Sequence, residues 1–319
     1  MNTSDFESFR DKLLDSVSKT IVGKDEVIEF VAYDIMAGGH ILFEDNPGLG
    51  KTTLAKAVAK AIGCEFKRIQ FTADLLPADV TGTFVLDGTK GFRFISGPVF
   101  AQIVLADEIN RAPPKTQSAL LEAMQEHQVT AENETFKLPR PFIVFGTQNP
   151  IEYEGTYPLP EAQMDRFTVR ISMGYPGPED EVRILGLRKS PEDELGEVSK
   201  VCDATAVLAL QERLEGLYID DDVKRYMVQI AVQTRTFQGV EAGVSPRGII
   251  QLQRLCRARA ACSGRDFVTP DDVKVLAVPA LSHRLVLSVD YELRGLSQET
   301  IVREILAKTP VPKVTESEA

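Results

Sequence analysis

The fold is decided by residues 40–63, which read HILFEDNPGLGKTTLAKAVAKAIG. A strand-like apolar run enters a glycine turn, and the amphipathic stretch Thr52–Ile62 follows and stops at Gly63, a residue suited to a left-handed helix C-cap. Strand, glycine turn and helix in this order are the context of a phosphate-binding loop, whose glycines let backbone N–H groups face phosphate oxygens. The turn is therefore predicted to bind a nucleotide such as ATP or ADP.

Within this loop, Lys51 is predicted to reach the β and γ phosphates, and Thr52 to hold Mg²⁺. The general pattern begins with glycine where this chain has Asp45. That position lies at the strand end, farther from the phosphates than Gly48 and Gly50, so we expect function to survive, with affinity as the property at risk. The alternative is a strand–turn–helix that merely needs glycines. The predicted nucleotide-binding loop residues are Asn46, Pro47, Gly48, Leu49, Gly50, Lys51, Thr52 and Thr53.

A second motif is the apolar strand Ile103–Ala106, which ends in Asp107 and Glu108. So apolar a strand would not end in paired carboxylates without a counter-charge nearby, and Mg²⁺ beside a nucleotide supplies one. Asp107 is therefore predicted to help hold the metal and Glu108 to polarise an attacking water. The alternative is that both acids simply cap a strand at the surface.

Further strands and helices alternate around these motifs. Phe66–Phe71 and Phe142–Gly146 have strand character, and Lys115–His127 is helical, which predicts an α/β fold with a parallel sheet flanked by helices. Residues 83–95 contain two short strand-like runs around a glycine-containing turn and are predicted to form an inserted hairpin.

Helical spacing dominates both ends of the chain. Residues 1–38 carry two helical patterns, and the sequence becomes helical again after Pro176. We therefore predict N-terminal helices and an α/β nucleotide-binding domain over residues 1–176, a helical lid domain over 177–309 and a disordered tail over 310–319.

Three polar residues outside the loop are candidates for the same site. Asn149 follows an apolar strand, where it could orient a water or touch the γ-phosphate, or simply start a turn before proline. Arg166 pairs with Asp165 or projects across a subunit interface to a neighbour's γ-phosphate. Arg247 lies in the first turn of a helix, where a cation is mildly unfavourable unless phosphate is bound; a solvated arginine, or one paired with Glu241, is the alternative.

Composition limits the function classes. The 319-residue chain carries a net charge of −11, which argues against broad nucleic-acid binding. Four scattered cysteines and three distant histidines suggest neither a disulfide framework nor a zinc site, and fit a cytoplasmic protein. The polar start is unlike a signal peptide, and the apolar runs are strand-sized, so no membrane insertion is expected.

The motifs together closely resemble those of MoxR-type AAA+ ATPases. The stretches that carry the resemblance read ADEINRAPPKTQ from Ala106, LLEAMQE from Leu120, TQNP from Thr147 and LPEAQMDRF from Leu159. By this resemblance Val22 and Gly23 line the adenine pocket, Asp107 and Glu108 belong to Walker B, Asn149 is sensor 1, Arg166 is the arginine finger and Arg247 is sensor 2. The hairpin at 83–95 resembles an insert near the central pore of the ring, and Asp45 departs from the glycine usual in the family.

The resemblance also implies a hexameric ring of identical subunits with chaperone-like activity on client proteins, among them proteins with von Willebrand factor A domains. Three functions follow: an ATP-hydrolysing remodelling motor, an ATP-assembled scaffold with little remodelling, and a nucleic-acid motor. Glu108 and Arg166 favour the first over the second. The acidic charge disfavours the third, although Lys90 and Arg93 in the hairpin keep it open.

Overall fold

The computed structural model describes residues 3–86, 88, 91–132, 134–150, 155–187 and 195–312. Its centre is a five-stranded, entirely parallel sheet in the order β2-β5-β8-β1-β9. The strands of this sheet are β1 (Ile41–Glu44), β2 (Phe66–Gln70), β5 (Ile103–Asp107), β8 (Ile143–Gln148) and β9 (Val169–Ile171). The predicted parallel sheet flanked by helices is confirmed.

Helices cover both faces of the sheet because its central strands are apolar on both sides. In β1, Ile41 and Phe43 pack into one core while Leu42 packs into the other. Helices of the first half of the chain are α1 (Ser4–Val17), α2 (Asp25–Ala37), α3 (Lys51–Ala61), α4 (Pro77–Thr81), α5 (Pro114–Glu126) and α6 (Glu161–Met164).

The second half is helical, as predicted. Its helices are α7 (Pro178–Leu187), α8 (Ala204–Leu214), α9 (Asp221–Thr236), α10 (Pro246–Cys262), α11 (Pro270–Leu281), α12 (Val289–Leu293) and α13 (Gln298–Lys308). Side chains of α1, α2 and α3 join those of α8, α10 and α11 in one hydrophobic cluster, so the core continues from the sheet into these helices. None of the described helices is both long and apolar enough to span a membrane.

The described residues also form three short antiparallel strand pairs outside the central sheet. The predicted insert is a hairpin of β3 (Gly82–Leu86) and β4 (Phe92–Ser96). A second hairpin, β6 (Gln128–Ala131) with β7 (Glu134–Lys137), was not predicted, and the ring of Phe136 stacks on that of Phe94 with centroids 4.1 Å apart. A last pair is β10 (Val240–Ala242) with β11 (Val286–Leu287). Residues 313–319 of the predicted tail, and Lys90 in the insert, lie outside the described residues.

Candidate functional site

The glycine turn between β1 and α3 has the backbone of a phosphate cradle. Gly48 and Gly50 have φ angles of 85° and 88°, in the left-handed region that glycine adopts without strain. A Cβ built on either glycine would meet no atom within 4 Å, so the loop faces open space. Helix α3 begins at Lys51, which points the N–H groups of its first turn toward the same space. This geometry suits an anionic ligand.

The ammonium of Lys51 stands at the mouth of this cradle. Its Nζ donates a 2.7 Å hydrogen bond to the backbone carbonyl of Asp45. Burial lowers the pKa of Lys51, and the nearby carboxylates of Asp45, Asp107 and Glu108 partly offset that effect. A cation that burial destabilises gains from an incoming anion such as phosphate.

The carboxylates of Asp107 and Glu108 lie beside the cradle, where β5 ends. The Thr147 hydroxyl donates to Asp107 Oδ1 at 2.7 Å and accepts from the Glu108 N–H at 2.8 Å. Glu108 has a φ of 55°, which is uncommon for a residue with a side chain and is found at sites where geometry is imposed by surrounding contacts. Thr147 on the neighbouring strand β8 therefore holds the carboxylate of Asp107 and the backbone of Glu108.

Two residues of this cluster were missed by the sequence analysis. Arg68 donates to Asp107 Oδ2 from Nε at 3.0 Å and from Nη2 at 2.6 Å. Gln70 donates to Glu108 Oε2 at 2.9 Å. Both belong to β2, and the alternation of side chains along a strand puts them on one face. Their spacing was visible in the sequence, but the pairing of β2 with β5 was not.

Several other predicted residues line the same cleft. Asn149, 9% exposed, lines it together with Lys51, Asp107 and Glu108. The predicted nucleotide-binding loop residues that also line it are Pro47, Gly48, Gly50, Thr52 and Thr53. The cleft thus gathers a cation, two carboxylates, a hydroxyl and an amide beside a row of backbone N–H groups.

An adjoining cavity extends from the loop toward α7. Val22 and Leu49 line it together with Ile21, Met173, Pro176 and Ile184, which gives it an apolar wall suited to a flat ring system. Gly23 has a φ of 70°, and a Cβ there would lie 2.1 Å from Asp180 Oδ2. Gly23 thus packs against α7 beside this cavity. Asn46 Nδ2 donates to the Tyr175 hydroxyl at 3.2 Å.

Arg166 and Arg247 are brought together, but in a different pocket. They line it with His40, Thr168 and Gln251, and in the described part of the chain neither arginine lines the cleft of Lys51. Burial lowers the pKa of Arg166, and the neighbouring charge of Arg247 lowers it further. Two neighbouring cations in one pocket favour a shared anionic partner.

Within the described residues, neither arginine pairs with the acidic partner that the sequence suggested for it. Asp165 pairs with Arg284 at 2.8 Å rather than with Arg166, and the buried Nε of Arg166 has no hydrogen-bond partner among the described residues. Arg247 is exposed at the start of α10, and no salt bridge joins it to Glu241, although both residues are described. The pocket therefore holds two arginines, and the carboxylates of Glu122 and Glu126 offset part of the charge around Arg166 by raising its pKa.

The donor set of the Lys51 cleft fits Mg²⁺. Asp107 and Thr52 both line this cleft, their side chains carry oxygen donors, and oxygen is the donor that Mg²⁺ prefers. Within the described chain, no group of three or more His, Cys, Asp or Glu side chains could hold a metal. An ion bound here would therefore be held by Asp107 and Thr52 together with phosphate oxygens, as is common for Mg²⁺.

Comparison with known proteins agrees with this geometry. Residues 40–169 match the family model described as ATPase family associated with various cellular activities (AAA), and residues 232–305 match an AAA lid domain. The chain is 45% identical over 302 residues to the uncharacterised Bacillus subtilis protein YeaC, covering 94% of each chain.

Two further relatives carry more informative names. The Mycobacterium tuberculosis protein named Chaperone MoxR1 is 39% identical, with 93% of this chain and 81% of the relative covered. The crystal structure of a candidate ATPase from Cytophaga hutchinsonii superposes with a TM-score of 0.88 at 38% identity, covering 97% of this chain and 98% of the other.

Proposed function

Because the chain belongs to the MoxR family of AAA+ ATPases, we propose that it binds and hydrolyses Mg-ATP in a ring of identical subunits and uses the turnover to remodel client proteins or assist their maturation. One observation supports hydrolysis above the others. Lys51, Asp107, Glu108 and Asn149 line a single cleft beside the glycine cradle. That set combines a phosphate-binding cation with a carboxylate able to activate water.

Each residue of the cleft has a distinct part in the proposed reaction. Lys51 and the loop N–H groups neutralise and orient the phosphates. Glu108 draws a proton from the attacking water, and Asn149 holds that water or the γ-phosphate in place. Mg²⁺, when bound, supplies positive charge to the phosphate oxygens and is held by Thr52 and Asp107. The adenine occupies the apolar cavity beside Val22, Gly23 and Leu49.

The two arginines act on the nucleotide of a second copy. Arg166 and Arg247 share a pocket that is separate from the cleft of Lys51, which supports a role on a phosphate of another subunit. Their charge stabilises the transition state formed in the neighbour's cleft, a contribution worth about 10³–10⁵ in rate for arginine fingers. An active site that needs residues of two copies ties hydrolysis to assembly, and the family resemblance suggests six copies.

The client side of the function rests on family membership. A relative is named Chaperone MoxR1, and we propose a chaperone-like role for this chain, with von Willebrand factor A domain proteins as a class of partner. Client-stimulated turnover separates this role from an ATP-assembled scaffold, whose turnover would not respond to the client. Salt-sensitive binding to DNA would instead favour a nucleic-acid motor.

The direct test is calorimetry with Mg-ATP together with steady-state phosphate release by the purified chain. We expect saturable binding, measurable turnover and a mass by light scattering that rises with ATP. Lys51→Ala is the control, since the loop loses its main cation and both binding and turnover should vanish. Folded wild-type protein that takes up no Mg-ATP at millimolar concentration would overturn the proposed function.

A further inference from the structure

We propose that Arg284, acting through Asp165, is a positioning residue that holds the Arg166 side chain at the angle needed to enter a neighbour's nucleotide site. This inference deepens the proposed function and rests on Arg166 acting between subunits. Arg284 follows α11 in the short 3-10 turn Ser282–Arg284, far from Arg166 in sequence. Its guanidinium group reaches across to the segment that carries Arg166.

The contacts of Arg284 bracket Arg166 on both sides. Its Nε donates to Asp165 Oδ1 at 2.8 Å, and its Nη2 donates to the backbone carbonyl of Asp165 at 3.3 Å. The same Nη2 donates to the carbonyl of Phe167 at 2.7 Å, and Nη1 to that of Thr168 at 3.4 Å. The backbone before and after Arg166 is therefore fixed by one planar group with several donors.

Helix α10 completes the same network. The Ser245 hydroxyl donates to the Asp165 carboxylate at 3.1 Å, and Arg284 also donates to the side-chain oxygen of Gln251. Ser245 caps α10 two residues before Arg247, so the network links the backbone around Arg166 to the helix that carries Arg247. The two arginines of the shared pocket are in this way held in one frame.

Arg284 is a buried charge, and the neighbouring helix leaves room for it. The side chain is 1% exposed, and a buried charge is unfavourable unless hydrogen bonds and a counter-charge offset it. Gly248, inside α10, would place a Cβ 2.8 Å from Arg284 Cδ and 2.9 Å from Nε. Gly248 is the third residue of α10, and the lack of a side chain there leaves the room that Arg284 occupies.

A complementation assay separates positioning from general stability. Glu108→Gln subunits keep Arg166 but lack their own catalytic carboxylate, whereas Arg166→Ala subunits keep the carboxylate but lack the arginine. Mixing the two should restore ATPase activity, because arginines of the first serve clefts of the second. Arg284→Lys is then placed either in the Glu108→Gln chain, as arginine donor, or in the Arg166→Ala chain, as acceptor.

We expect Arg284→Lys to lower the restored activity by about 10- to 100-fold in the donor and by less than about twofold in the acceptor, which has no Arg166 left to position. Asp165→Asn, which leaves Arg284 in place, should show the same asymmetry. Arg259→Lys is the matched control, because Arg259 pairs with Asp272 between α10 and α11 and does not contact residues 165–168. Its effect should be equal in donor and acceptor.

The outcomes are distinguishable. Equal losses in donor and acceptor, including a failure of the variant chains to fold, would overturn positioning and leave Arg284 as a stabilising contact only. No loss in the donor would overturn it as well. If Glu108→Gln and Arg166→Ala chains do not complement each other at all, the action of Arg166 between subunits fails, and with it both the proposed ring mechanism and this inference.

Discussion

The carboxylate of Asp45, at the end of β1, accepts a 2.6 Å hydrogen bond from the hydroxyl of Ser172, just beyond the end of β9. The backbone N–H of Met173 donates to the same carboxylate, which is 8% exposed as a residue. The residue that departs from the usual phosphate-loop pattern thus has a structural use. It fastens the loop to the segment that leads into α7.

Replacing Asp45 by glycine should lower the stability of the chain. The Met173 N–H and the Ser172 hydroxyl would lose their acceptor, and a buried donor left unsatisfied costs about 1–3 kcal/mol. We expect Mg-ATP binding to persist, because the cradle is formed by Gly48, Gly50 and Lys51. Urea denaturation with and without Mg-ATP measures both effects. Asp45→Asn, which keeps one acceptor oxygen, should fall between the two, and an Asp45→Gly chain as stable as wild type would contradict this.

Glu108→Gln should separate binding from hydrolysis. The amide cannot accept a proton from water, so turnover should fall by about 10²–10⁴, while Lys51 and the loop still hold the nucleotide. Calorimetry should give a Mg-ATP affinity close to wild type, and light scattering should show assemblies that persist. Normal steady-state turnover by this variant would contradict the role of Glu108 as the base.

Arg166→Ala should poison mixed assemblies. Each variant subunit deprives a neighbour of its arginine, so activity should fall more steeply than the fraction of variant added. Phosphate release from wild-type protein titrated with Arg166→Ala measures this, with nucleotide binding by the variant as the check that its own cleft is intact. Activity that declines only in proportion to the variant fraction would place the arginine outside any neighbour's site.

The buried carboxyl group of Asp34 should make stability depend on pH. Burial raises the pKa of Asp34 to about 8, well above that of an unfolded chain, so the folded state binds more protons and stability falls as pH rises toward 8. Burial lowers the pKa of His40 to about 4, which makes stability rise with pH only up to about 6.5.

Between about pH 6.5 and 8, therefore, the Asp34 effect acts without the opposing one, at up to about 1.4 kcal/mol per pH unit. Asp34→Asn should remove this slope and exceed wild type in melting temperature at pH 8. Thermal unfolding across the pH range measures the difference. A variant that is less stable than wild type at pH 8, or that keeps the same slope, would show that Asp34 is ionised and stabilised in the folded chain.

The sequence predicted the sheet and its loop because both are local patterns. The apolar strands β5 and β8 are buried on both faces. The glycines before Lys51 indicate a turn with positive φ angles, which the structure has. The second hairpin was missed because Gln128–Ala131 and Glu134–Lys137 carry little apolar alternation. Its main anchor, Phe136, is a partner of Phe94 that no local pattern discloses.

The site was predicted to the extent that its residues lie at the ends of their own strands. Arg68 and Gln70 escaped notice because their importance depends on β2 pairing with β5, a neighbour relation that chain order does not encode. The same holds for Arg284, whose contact with Asp165 joins residues separated by more than a hundred positions. Long-range pairings of this kind require the folded chain.

The stacked rings of Phe94 and Phe136 join two hairpins from separate parts of the sequence into one packed unit. Phe84 adds a third ring, whose centroid lies 5.4 Å from that of Phe94. Separating the hairpins would therefore expose three aromatic rings to water. We therefore expect neither hairpin to keep its packing if it is transplanted alone. A chimaera that exchanges residues 82–96 with a relative should carry residues 128–137 from the same donor. Otherwise the aromatic side chains of the two hairpins will not match.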